Sequence, residues 1–233
     1  MKNYIPILLA ILFLFACDTE YNSNSSNDNN TVADKPIEKP TLPPTSSKDA
    51  TAPPTAFVID ANKKIVGLIT PADTEADLIK SYGEKNVQKR EIGLGEGETT
   101  LGTVVLPGTD EELIIEWLEG ATYQKIKSIR IEGENASWKT VDGIGIGTSL
   151  EDLEKINGKA FKFYGFEWDY AGTTNEWEGG KISKNITLIL TPDNPQAVFP
   201  DLLGDQLFSS KNPKAQEAGL KVSAMVINFE KQE

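Results

Sequence analysis

Four carboxylates flank two tryptophans in one short stretch of the chain. Glu167, Asp169, Glu176 and Glu178 lie around Trp168 and Trp177. Two carboxyl side chains about 5–10 Å apart beside a sugar site are what glycoside hydrolysis needs. The competing reading is a run of solvated acids, because 35 of the 233 residues are Asp or Glu. At that frequency, four acids near a tryptophan need no special cause. The chain has no histidine. Imidazole acid–base chemistry, His-dependent triads and His-ligated zinc are therefore excluded. There is no Walker glycine loop, no nucleophile-elbow pentapeptide and no dinucleotide fingerprint at a strand–helix junction. A non-catalytic protein with no cofactor and no metal is the expectation, and a carbohydrate-active site at residues 164–178 is its rival.

The same region is rich in aromatic rings. Residues 161–170, FKFYGFEWDY, hold six rings in ten positions. Trp and Tyr anchor many interfaces, since they bury large area at small entropy cost. Tyr164, Trp168, Tyr170 and Trp177 are thus candidate binding residues, for another protein or for a glycan. The alternative is core packing, which claims most aromatic side chains. In a regular strand Phe161 and Phe163 face one way, and Tyr164, Phe166, Trp168 and Tyr170 the other. A bulge at Gly165 would shift the register. Phe161, Phe163, Phe166, Trp168 and Tyr170 would then all point inward, with Glu167 and Asp169 toward water. Whether these rings are core or surface stays open at this level.

Two other stretches resemble ligand sites and have plainer readings. Asp73, Glu75 and Asp77 are spaced like the start of a calcium loop, but the glycine and distant glutamate of such a loop are missing. Gly143, Gly145 and Gly147 lack the Lys-Ser/Thr of a phosphate loop, and suit a close-packed entry to a helix. The run Gly93 to Gly97 reads as a turn.

The elements that must hold these residues begin after a long leader. Ile5 to Phe15 is an apolar run of eleven residues behind Lys2. That is too short to span a bilayer, which takes about 20 residues, and it suits a secretory signal peptide over residues 1–16. Leu14-Phe15-Ala16-Cys17 resembles the lipobox of bacterial lipoproteins. The resemblance implies cleavage before Cys17 and lipid attachment to its sulfur and new amino group. It also implies a membrane anchor far stronger than a single acyl chain provides. Cys17 is the only cysteine. Asp18 and Glu20 resemble the sorting signal for cell-surface export, so the inner leaflet of the outer membrane and the cell surface are both open. The remainder of residues 17–55 is Asn-, Ser-, Thr- and Pro-rich and nearly free of large apolar side chains. Such a segment buries too little surface to fold. As a flexible tether it would reach roughly 35 Å.

From Phe57 the composition becomes that of a folded unit, and it contains an internal match. Thr74–Lys80 and Ser149–Lys155 align at a spacing of 75 residues, as do Gly83 with Gly158 and Leu113–Ile115 with Leu188–Leu190. Thr74 and Ser149 read as helix caps with Asp77 and Asp152 three residues on. The two glycines stand where helices end. Alternation predicts strands at 86–94, 99–106, 112–118 and 125–132, and again at 161–170, 175–179, 185–191 and 220–229. Residues 192–219 read as an insertion punctuated by prolines. The fold class expected is α+β, two-layer: a tandem repeat of one helix packed on an antiparallel sheet of about four strands. The repeats would cover 56–140 and 141–233.

This layout resembles the tandem helix-plus-sheet repeats of beta-lactamase inhibitor protein and of small outer-membrane assembly lipoproteins. The resemblance rests on the helix start Gly147-Thr148-Ser149-Leu150-Glu151-Asp152-Leu153, and it implies a binding scaffold. The formal net charge of −12 opposes nucleic-acid binding, which needs basic surface. The partners expected are the membrane, through the anchor, and another envelope or extracellular protein, with a glycan as the alternative.

Overall fold

The computed structural model describes residues 57–95, 97–194 and 200–230. The leader, Cys17 and the tether lie outside the described residues. In chain order the elements are β1 (Val58–Asp60), β2 (Ile65–Val66), α1 (Glu75–Tyr82), β3 (Val87–Gly95), β4 (Glu98–Val105), β5 (Leu113–Trp117), β6 (Ile126–Ile131) and β7 (Lys139–Thr140). They continue with α2 (Leu150–Asn157), β8 (Lys162–Tyr164), β9 (Ile186–Thr191), β10 (Leu207–Ser209), α3 (Pro213–Glu217) and β11 (Lys221–Asn228). The protein is mixed α+β, mostly strand, and its sheets are mainly antiparallel.

Both expected helix starts form, for the reason anticipated. In α1 the Asp77 carboxylate accepts the Thr74 N–H at 3.1 Å and the Thr74 hydroxyl at 2.7 Å. At α2, Ser149 Oγ accepts the Asp152 N–H at 3.1 Å and donates to the Asp152 carboxylate at 2.8 Å. The acidic triplet at 73–77 is therefore cap chemistry. Gly83 and Gly158 cap the C-termini. Each helix has only two turns, too few to stand alone, so burial of Leu78 on α1 and of Leu150 and Leu153 on α2 must hold them in place.

The caps carry a pH dependence. The Thr74 hydroxyl and N–H hold Asp77 below its ordinary pKa, and the Ser149 hydroxyl followed by Lys155 does the same for Asp152. A carboxyl lowered on folding stabilises the protein above its unfolded value of 3.8. That contribution is lost as pH falls through the lower folded value. Asp77→Asn/Asp152→Asn is expected to flatten the fall in urea midpoint between about pH 4 and pH 2 relative to wild type. An unchanged acid limb would show that these caps do not couple to folding.

The main sheet has six strands in the order β3-β4-β5-β6-β11-β9, every neighbour antiparallel. Strict alternation builds its two faces. In β5, Leu113, Ile115 and Trp117 are buried while Ile114 and Glu116 are half-buried. The first set joins Leu78, Leu150 and Leu153 in one hydrophobic cluster, so this is the helix-covered face. Trp117 Nε1 donates to Thr103 Oγ1 at 2.9 Å, and that hydroxyl donates to Glu75 of α1 at 2.7 Å. This chain of bonds ties β5, β4 and α1 together with no polar group left unpaired.

The four strands expected between 86 and 132 are β3 to β6, within two residues at each end. The second half departs further. The strand expected at 161–170 stops at Tyr164, and none forms at 175–179. Instead Thr173 and Thr174 carry isolated bridges, Thr173 to Ile189 and Thr174 to Phe163. They stitch β9 to β8, which pairs in turn with β10. The insertion at 192–219 supplies β10 and α3. A turn closed by the Asn212 N–H to the Ser209 carbonyl leads into α3, which Asn212 caps with Pro213 at its first position. Sequence reasoning also passed over β1, β2 and β7, three short strands in one small sheet.

Candidate functional site

The face of the main sheet away from the helices forms a trough. Its floor follows one row of cross-strand partners, Ile114–Arg130–Val226–Thr187, with Ile189 beside them. All five are only half-buried. One end is the β3–β4 hairpin, where Leu94 is 45 % exposed. The other is the loop Asp169–Ala171. The open trough has a volume of about 870 Å³, on the scale of a sizeable ligand or several partner side chains.

Charges line the rim. Arg90 pairs with Glu112, and Arg130 Nε lies 2.6 Å from Glu132. Burial pushes Glu112 upward, but the Arg90 hydrogen bond and charge and the Gly108 N–H outweigh it and hold its pKa below the ordinary value. Lys127 sits 2.7 Å from Glu116. These exposed pairs fix side chains in place and add little stability each.

The aromatic stretch divides at Gly165. Phe161 and Phe163 are fully buried, and Phe161 stacks on Trp177 at 4.9 Å. At Gly165 the chain meets another backbone. An added Cβ would lie 2.5 Å from the Gly204 carbonyl and 2.6 Å from that of Leu202. The Phe166 N–H donates to the Leu202 carbonyl at 2.8 Å. This glycine therefore ends the strand by close approach, where a bulge within a continuing strand was expected. Phe166 is half-buried against the core. Glu167 then takes φ 64°, a left-handed conformation uncommon for glutamate. The turn brings Trp168 back, and its Nε1 donates to the Gly165 carbonyl at 2.9 Å.

Tyr164, Trp168 and Tyr170 consequently form a cluster on the surface. Trp168 meets both tyrosines edge-on at 5.2 Å, and the two tyrosines are 6.2 Å apart. Tyr170, 52 % exposed, lines the trough. The inward placement of Trp168 and Tyr170 that a bulge would have produced is thus corrected, because the chain turns back after Phe166. Trp177 is corrected in the opposite sense. It is 8 % exposed, and its Nε1 donates to the Ile186 carbonyl at 3.1 Å. It belongs to the core and cannot share a surface with the other three.

All four carboxylates between residues 167 and 178 are exposed. Glu178 forms an ion pair with Lys162 at 3.1 Å, and the Trp177 beside it faces inward. Glu167, Asp169 and Glu176 face solvent. The Gly143–Gly147 run enters α2 as expected, with the Gly147 N–H donating to the Val222 carbonyl at 2.8 Å. Among the described residues no group of three or more acidic, His or Cys side chains is placed to hold a metal ion. No helix among them is long and apolar enough to cross a membrane.

The trough itself was missed in sequence. Its signal was present in the half-polar alternation of Leu113–Trp117 and Ile126–Ile131, but alternation cannot say whether the second face is covered.

No family model matches this chain. No curated protein matches it either. Among solved structures it is similar to the uncharacterized protein yfeY from Escherichia coli, at 14% identity and a TM-score of 0.34, over 61% of this chain and 78% of that one.

Proposed function

We propose that this is a lipid-anchored, non-catalytic binding protein of the bacterial envelope, held at the outer membrane through Cys17. The tether carries its folded part to a protein partner that docks on the sheet face opposite the helices. The observation that carries this reading is the 870 Å³ trough. A floor of mixed apolar and polar residues left uncovered by the protein's own helices, with the exposed Tyr170 at one end, has the make-up of a protein interface. A tandem duplication of one helix-plus-sheet unit fits the same reading. Helices α1 and α2 are both eight residues long. The order β3-β4-β5-β6 is mirrored across the sheet by β11, β9, the 173–174 bridge and β8. The partner is expected at the inner leaflet or at the cell surface.

Two experiments test this. Cys17→Ser is expected to move the protein from the membrane to the soluble fraction, and retention in the membrane would refute the anchor. A photo-crosslinking residue at Thr187, in the trough, is expected to give a discrete adduct in intact cells. The same residue at Lys80 on α1 should give none. Equal labelling from both positions would count against a docking face. A glycan reading rests on the exposed ring of Tyr170. It ranks second because Trp168 is held edge-on by two tyrosines and offers no open platform, while Trp177 is interior.

A further inference from the structure

The trough has a charge pattern as well as apolar positions on its floor. Both of its arginines are engaged by the protein's own carboxylates, Arg90 by Glu112 and Arg130 by Glu132. Its remaining acids at the two ends, Glu98 and Asp169, form no ion pair with a lysine or arginine of the described residues. They stand at opposite ends, Glu98 on the β3–β4 hairpin and Asp169 in the far loop. Glu91 also borders the hairpin end, but by register its side chain shares the helix-side face with Lys89 and Thr103 and accepts a hydrogen bond from the Thr99 hydroxyl. Between Glu98 and Asp169 lie Ile114, Val226 and Ile189. Asp169 precedes the exposed Tyr170 in the same loop, and both line this end of the trough. A carboxylate and an exposed aromatic ring at one end suit a guanidinium, which can pair with the first and pack on the second. An acidic partner would meet like charge at both ends, which costs affinity and slows encounter. The formal net charge of −12 acts in the same direction.

We propose, on the basis of the docking-face reading above, that the trough takes a cationic amphipathic segment of its partner protein. That segment has arginine or lysine at each end of a short apolar stretch. Its apolar side chains rest on Ile114, Val226 and Ile189. Its cations meet Asp169 and Tyr170 at one end and Glu98 at the other.

The test uses the full chain in detergent with methyl-labelled Ile, Leu and Val. The probe is a capped decapeptide of alternating Val and Thr with Arg at each end. One twin carries Gln at both ends and another carries Glu. The Arg probe is expected to shift the methyl signals of Ile92, Ile114, Ile189 and Val226. The Gln twin should bind about tenfold more weakly, and the Glu twin not measurably. Asp169→Asn and Glu98→Gln should each weaken the Arg probe about threefold and leave the Gln twin unchanged. Equal binding of the Arg and Gln peptides in the trough would overturn the cationic preference and leave the docking face standing. Shifts confined to residues outside the trough, or indifference to both substitutions, would reduce the effect to general attraction by an acidic protein and overturn the proposal. If none of the three peptides moves a trough signal, the cationic segment is refuted, and the crosslinking at Thr187 decides the docking face separately.

Discussion

Trp177→Ala is expected to destabilise the protein by about 3–5 kcal/mol, the cost of emptying a large buried aromatic site. The ring stacks on Phe161 at 4.9 Å and donates its N–H to the Ile186 carbonyl at 3.1 Å. Truncation leaves a cavity and an unpaired buried acceptor at once, and the second adds its own desolvation penalty. Trp168→Ala is the paired control. That ring is half-buried and touches chiefly the two tyrosines, so its loss should cost about 1–2 kcal/mol. Urea unfolding of both variants, followed by far-UV circular dichroism, measures the contrast. In thermal unfolding the Trp177 variant should melt roughly 10 °C lower than wild type. Equal losses in the two variants would mean that the division between interior and surface rings is drawn wrongly. The contrast also bears on function. On the docking-face proposal, partner capture should survive in any Trp177 variant that still folds.

Gly172→Ala is expected to be as damaging, by a different route. Gly172 has φ 68°, and an added Cβ would stand 2.0 Å from the Leu190 carbonyl. No rotamer relieves that overlap, because both atoms are fixed to backbone. The Gly172 N–H donates to the Tyr164 carbonyl at 3.1 Å, and its own carbonyl accepts the Leu190 N–H at 2.9 Å. The residue therefore joins β8 to β9, and moving it breaks both bonds. The left-handed conformation alone costs alanine roughly 1–2 kcal/mol. With the clash and the broken bonds the total should exceed about 4 kcal/mol, the range of exceptional substitutions. Hydrogen exchange should show protection lost first at β8 and at the β9 amides that face it, with β3 to β6 retained longer. A loss below about 1 kcal/mol would mean that the strand junction yields easily. Gly83→Ala is the comparison, since it also has positive φ but nothing lies within 4 Å of its added carbon. It should show the conformational penalty alone.

The two halves of the chain differed in how far they could be read. Between Leu113 and Ile131 burial alternates along β5 and β6. Local chemistry and tertiary structure agree there, so each element stands where its residues place it. The helix starts at Thr74 and Ser149 were legible for the same reason. A cap is decided by four or five consecutive residues, and its hydrogen bonds close within them. The run from Phe161 to Trp177 was not legible, because its geometry is set by distant segments. Gly165 is needed by the carbonyls of Leu202 and Gly204, some forty residues on. Asn157 Nδ2 donates to the Trp177 carbonyl at 2.9 Å across twenty residues. Composition could place six rings close together, but it could not say which backbone would come to meet them.

The sequence by itself determined the chemistry that is absent, the expectation of a leader and anchor, the α+β class and the first four strands of the sheet. These depend on residue type, on periods of two or 3.6, and on caps a few residues long. Only the tertiary structure decided that Trp177 is interior, that Tyr164, Trp168 and Tyr170 gather outside, and that among the described residues part of the sheet face opposite the helices is left uncovered. The physical reason is that burial belongs to a surface assembled from remote strands. Alternation marks two faces on every strand, and only the packing of helices against one of them tells which face remains open to a partner.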